Sequence, residues 1–140
     1  MTRSLVAAAL LLAAPAAPAA DPDSGKDGYA IDTSASTRAV AVGGRGKLAI
    51  AIQPRAPWHV DPRAPLKLRL EAPSGLAVEK VAFARKDAVD PKAEAPRFET
   101  PFQAKAAGTQ EAKAHLDFFL CKDTICAKQT ATVALAVAVR

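Results

Sequence analysis

The run Thr132-Val133-Ala134-Leu135-Ala136-Val137-Ala138-Val139 decides the fold. Val133, Leu135, Val137 and Val139 alternate with Thr132 and three alanines. Side chains on a strand point to opposite faces in turn, so a period of two predicts a strand with one buried face. Alanine favours helix by propensity. No segment of the chain sustains a 3.6 period, however, and sheet packing overrides a weak local preference. Val133–Val139 is also far shorter than the roughly 20 apolar residues of a membrane-spanning helix.

The same alternation recurs upstream. Leu48, Ile50 and Ile52 alternate with polar or small residues in Lys47–Gln53, and Leu66, Leu68 and Leu70 do so in Leu66–Glu71. Further candidate strands are Arg38–Val42, Val78–Ala84, Arg97–Ala104 and Glu111–Leu120. Turn signals separate them: Gly43-Gly44, Pro54, Pro62, Pro65, Pro73-Ser74-Gly75, Pro91 and Gly108. Short strands at this spacing predict an all-β chain folded as an antiparallel sandwich. The longest connection, Arg85 to Pro96, is highly charged, and a loop of about a dozen residues in a compact domain is often functional.

Residues 1–20 read as a secretory signal peptide. Arg3 supplies the basic start, Leu5–Ala14 the apolar core, and Ala17-Pro18-Ala19 a small-x-small cleavage site. That core is too short to span a membrane, and no cysteine follows it to carry a lipid. The expectation is a periplasmic or secreted protein without stable membrane insertion, in a compartment where disulfides persist. Residues 21–35 are expected as a flexible N-terminal arm, polar and turn-rich over 21–28, and residues 36–140 as one sandwich domain. Removing Arg3 takes the formal charge from +5 to +4. With basic residues spread along the chain and few aromatics, this excludes a nucleic-acid surface, which wants a basic cluster with stacking groups.

Cys121 and Cys126 are the only cysteines. A bridge between them closes a short loop and gains about 2 kcal/mol, so it is a weak staple. Thiol–disulfide exchange is the other reading. It needs an attacking thiolate and a second sulfur to resolve the mixed disulfide. Lys122 and Lys128 favour a thiolate and Asp123 opposes it. A metal set would need His59 and His115 beside the two cysteines. His115 lies about 20 Å from Cys121 along a straight strand, so no metal site is expected.

The stretch Ala56-Pro57-Trp58-His59-Val60, followed by Pro65-Leu66-Lys67-Leu68-Arg69-Leu70-Glu71-Ala72-Pro73-Ser74-Gly75-Leu76, resembles the N-terminal periplasmic domain of the thiol:disulfide interchange protein DsbD. The cysteine pair before the last strand fits the same order, and the resemblance covers residues 40–139. It implies an immunoglobulin-like antiparallel β-sandwich of about seven to nine strands, with Cys121 and Cys126 shuttling between dithiol and disulfide. Either cysteine could attack.

By position, Trp58 and Val60 fall where the family lines its site with aromatics; Trp58 matches in type and Val60 does not. His59 is a candidate for proton transfer there. The connection Arg85–Pro96 takes the place of the family's cap loop but has no Phe, Tyr or Trp, and Ala127-Lys128-Gln129 stands where the family often has prolines. Full members continue into a membrane domain and a thioredoxin domain, whereas this sequence ends at Arg140. The implied partners are therefore a thioredoxin-like redox protein on a separate chain and exported protein substrates, with no cofactor. The rival expectation is a non-catalytic exported interaction sandwich with a structural disulfide, whose loops bind a protein partner.

Overall fold

The computed structural model describes residues 15–17, 21 and 23–140. The expected signal peptide therefore lies almost wholly outside the described residues. Among them, no helix is long and apolar enough to cross a membrane.

The described residues form ten strands in two sheets. In chain order they are β1 (Tyr29–Asp32), β2 (Ala39–Val40), β3 (Arg45–Pro54), β4 (His59–Val60), β5 (Lys67–Glu71), β6 (Leu76–Val78), β7 (Ala82–Ala84), β8 (Arg97–Ala104), β9 (Gly108–Lys122) and β10 (Ile125–Val139). One sheet has the order β1-β3-β8-β6. The other runs β2-β10-β9-β5-β7, with β4 also paired to β9. This is the expected immunoglobulin-like sandwich. All pairings are antiparallel except that of β2 with the end of β10.

The core forms because each long strand alternates. Leu48, Ile50 and Ile52 of β3 and Phe98 and Phe102 of β8 face Leu116, Phe118 and Leu120 of β9 and Leu135 and Val137 of β10, all buried. Burying each such side chain contributes roughly 1.5–3 kcal/mol. Two edge-to-face pairs, Tyr29 on Phe118 and Phe83 on Phe98, fix ring orientations inside it. The buried Ser36 hydroxyl is fully used. It donates to the Ala49 carbonyl at 3.0 Å and accepts from the Ala49 N–H at 2.8 Å, which removes the cost of burying a polar group.

Three expectations are corrected. The sandwich begins at Tyr29 and not at residue 36, because Tyr29–Asp32 pairs in register with Ala51–Pro54 of β3. Residues 23–28 of the expected arm form turns packed on the domain: Ser24 and Gly28 bond back to Asp21 and Gly25, and Gly25 and Gly28 are buried. The stretch Val78–Ala84 is not one strand. Val78 pairs with Phe102 in one sheet, while Ala82–Ala84 pairs with Lys67–Arg69 in the other. The chain changes sheets at Glu79–Val81. With these short elements the described residues hold ten strands.

Candidate functional site

β9 and β10 form one hairpin, paired without interruption from Lys122–Ile125 to Gly108–Val139. A two-residue turn, Asp123–Thr124, closes it. Asp123 takes φ 48°, a left-handed conformation that Asp tolerates better than most side chains. The first pair behind the turn's closing pair is Cys121 opposite Cys126. Their Cα atoms lie 4.1 Å apart and a disulfide joins them. The close spacing is that of a pair whose backbone groups point away from each other. The bridge thus links two residues that the hairpin already brings together.

The two sulfurs differ in access. Cys121 is 4% exposed, whereas Cys126 is exposed at the hairpin tip. On its other side, Cys121 is in register with His59 of β4. Directly opposed residues project to the same face, so His59, Cys121 and Cys126 form one row across three strands. Asp61 follows on the same face as His59, and its Oδ2 stands 4.0 Å from the Cys121 sulfur. A disulfide sulfur has no proton to donate, so this is proximity of a carboxylate to sulfur and not a hydrogen bond.

Asp61 is held ionised. The Arg63 backbone N–H donates to Oδ1 at 2.9 Å and the Arg63 side chain adds a second bond at 3.3 Å. These contacts, with smaller contributions from the charges of Arg63 and His59, lower its pKa against a partial desolvation. Arg85 supports the same corner from the long connection. Its Nη2 donates to the Asp61 carbonyl at 2.7 Å, and its Nη1 donates to the Ala93 carbonyl at 3.4 Å. Burial lowers the Arg85 guanidinium pKa, and the charge of Asp61 offsets part of that. The charged loop is thus tied to the disulfide corner through backbone carbonyls, without an aromatic cap.

Of the residues expected to line the sulfurs, His59 is the one in register with Cys121. Val60 is 0% exposed and sits in the core opposite Leu120. Trp58 packs on the core from the sandwich end, and the Lys122 ammonium lies 4.8 Å from its ring centroid. Lys122 also pairs with Asp23 at 2.9 Å. Alternation places Lys122 and Cys121 on opposite faces of β9, so Trp58 and the Lys122 charge lie across the strand from the disulfide. His115 is elsewhere on β9, where its Nδ1 and the Thr132 hydroxyl share a hydrogen bond at 3.2 Å. Asp61, Cys121 and Cys126 are the ligand-type atoms that come together among the described residues, but bonded sulfurs offer no thiolate to a metal. Sequence reasoning missed Asp61. The period of two that located the strands would have placed it on the face of His59.

Beside Trp58 the sandwich end carries an open cleft of about 440 Å³, lined by Lys26, Asp27, Arg55, Pro57 and Trp58 among others. The Arg55 Nη1 donates to the Asp27 carbonyl at 2.8 Å, which fastens the N-terminal turns to this end.

No family model and no curated protein matches the chain. Solved structures resemble it in outline. A PapD-like domain of human CEP192 shares 9% identity at a TM-score of 0.46, over 94% of this chain and 96% of that one. A conjugative transposon lipoprotein from Bacteroides eggerthii shares 6% identity at 0.45, over 79% and 96%. A cohesin module from a Clostridium perfringens family 33 glycoside hydrolase shares 10% identity at 0.44, over 80% and 95%. At such identities and scores these proteins are no guide to a ligand or partner of this chain, which stands as a disulfide-bonded β-sandwich.

Proposed function

We propose that this chain is a non-catalytic exported binding or interaction sandwich in which the Cys121–Cys126 bridge is structural. The setting of the Cys121 sulfur carries this reading. That sulfur is buried with the ionised Asp61 carboxylate 4.0 Å away. Exchange begun at the exposed Cys126 sulfur would have to expel Cys121 as a thiolate, and the carboxylate opposes negative charge there. The Lys122 cation, which would favour a thiolate, engages Asp23 and Trp58 across the strand. The cleft at the sandwich end offers cations, carboxylates and one aromatic to a protein partner. The disulfide and the expected signal peptide both suit an oxidising compartment.

The deciding measurement is the reduction potential of the pair. A structural bridge lies below about −300 mV, and neither Cys121→Ser nor Cys126→Ser then captures a partner as a mixed disulfide.

One observation favours a second reading, the DsbD-like exchange module. Cys126 is exposed and His59 stands in register with Cys121. A thiolate of a thioredoxin-like donor would attack the Cys126 sulfur, forming a mixed disulfide and releasing Cys121 as a thiolate that His59 could protonate. The donor's second thiolate would then attack its own sulfur and release Cys126. The donor dithiol would be oxidised and this pair reduced, ready to reduce an exported protein's disulfide. A potential well above −300 mV, with the lone Cys126 thiol of Cys121→Ser capturing an exported protein as a mixed disulfide that no second cysteine of this chain can resolve, would establish this reading over the first.

A further inference from the structure

The outer edge of β10 is long and open. Among the described residues, β10 has a neighbour on that side only at Ala138 and Val139, which pair with β2. The Ala138 N–H donates outward to Arg38 at 2.8 Å and the Arg140 N–H to Val40 at 3.1 Å. Both groups of a residue in an antiparallel strand point the same way. Cys126, Lys128, Thr130, Thr132, Ala134 and Ala136 therefore turn their N–H and C=O groups away from β9. Their side chains are all exposed.

The other edges are short: β1 has 4 residues, and β6 and β7 have 3 each. Native edges are otherwise blunted by Pro, inward charges or bulges. Ile125 to Val137 has no Pro and a single charge, Lys128.

We propose that this edge is a self-association site, in which β10 of a second copy of this chain adds antiparallel about a two-fold axis at Ala131. The span selects this occupant and register. An axis at Ala131 opposes Cys126 to Ala136, Lys128 to Ala134 and Thr130 to Thr132 of the other copy. Every outward group between the turn and β2 is then paired, in about twelve hydrogen bonds at two per opposed pair. The lone charge meets an alanine, so a chain of formal charge +5 brings no like charges together along the seam. Threonines face threonines, a favourable cross-strand pair. Ser24 and Gly25 do not occupy the seam. Ser24 accepts a bond from the Gln129 side chain at 2.7 Å, and Gly25 adjoins the Ala127 Cβ, both on the core-facing side. The disulfide pins one end of the edge strand, so little order remains to be gained on pairing.

The test is sedimentation equilibrium of the purified protein, combined with cysteine cross-linking. A concentration-dependent species of twice the protomer mass is expected. Ala131→Cys should form an intermolecular disulfide, because that residue opposes itself across the axis. Ala134→Cys, facing Lys128, should not. Ala134→Pro removes only an outward N–H and leaves the β9 ladder intact, so it should return the protein to a folded monomer whose thermal transition no longer depends on protein concentration. The proposal is overturned by a monomer at all concentrations, whether the edge is open or covered by the chain's own N-terminal residues. A dimer that survives Ala134→Pro overturns it too, as does equal cross-linking at 131 and 134. None of these readings depends on whether the native disulfide exchanges.

Discussion

Cys121 and Cys126 face each other across the last hairpin, with Cα atoms 4.1 Å apart, one sulfur buried and the other at the surface. The uninterrupted β9–β10 ladder sets these two residues opposite each other. Replacing both cysteines with alanine should therefore cost only about 2 kcal/mol, the loop-closure value for so short a loop. Denaturant unfolding of the double variant measures it. A loss above about 4 kcal/mol would show that the bridge organises more of the sandwich than its own hairpin.

Gly28 lies against Trp58. A Cβ there would sit 2.6 Å from the Trp58 Cδ1, too close for the indole to stay in place. Gly28→Ala should destabilise the fold by about 1–3 kcal/mol, the usual cost of overpacking. Trp58 is the only tryptophan, so its emission should shift red in the variant as the ring is displaced toward solvent. An unchanged spectrum would mean that the N-terminal turns, and not the ring, give way.

Phe118 is 1% exposed and meets the Tyr29 ring edge-to-face at 5.0 Å. Phe118→Ala should cost about 3–5 kcal/mol. Tyr29→Ala should cost less, since Tyr29 is half-buried. The two losses should fall short of adding, because the residues share a contact. Strict additivity in a double-mutant cycle would detach β1 from the core.

Acid should weaken the fold in a defined window. Asp87 is lowered first by the Lys80 side chain, 2.6 Å away, and then by the Ala84 N–H. Asp61 is lowered mainly by Arg63, and Asp32 by Ser34. In each case the folded pKa lies below the unfolded one, so the unfolded chain binds more protons as pH falls. Their stabilisation is complete above the unfolded value near 3.8 and is lost as pH drops through the folded values. Urea midpoints measured from pH 6 down to 2 should fall below about pH 4, and less steeply in Asp87→Asn.

The alternating runs were legible because a half-buried strand must alternate. Leu48–Ile52, Leu66–Leu70 and Val133–Val139 lie in β3, β5 and β10 or at their edges. What escaped was set by distant pairing. Tyr29–Asp32 is only 4 residues long and becomes a strand because β3 is there to receive it. β4 has 2 residues, too few to show a period, whereas β2 falls inside the expected strand Arg38–Val42 and keeps only Ala39–Val40 of it. In Val78–Ala84 the apolar residues at both ends looked like one strand, but Val78 and Phe83 are claimed by different sheets. The cysteine pair was plain in the sequence. The neighbourhood of Cys121 was not, because His59 and Asp61 reach it only through the pairing of β4 with β9.

The crossing at Glu79–Val81 has a mechanical meaning. The chain on one side of it is hydrogen-bonded into one layer, and on the other side into the opposite layer. A force that pries the layers apart at that rim therefore meets covalent backbone before it loads the packed side chains. The far rim, where the layers end in β1 and β2, is closed the same way, because residues 33–38 carry the chain from β1 in one layer to β2 in the other; neither rim should peel open without loading backbone.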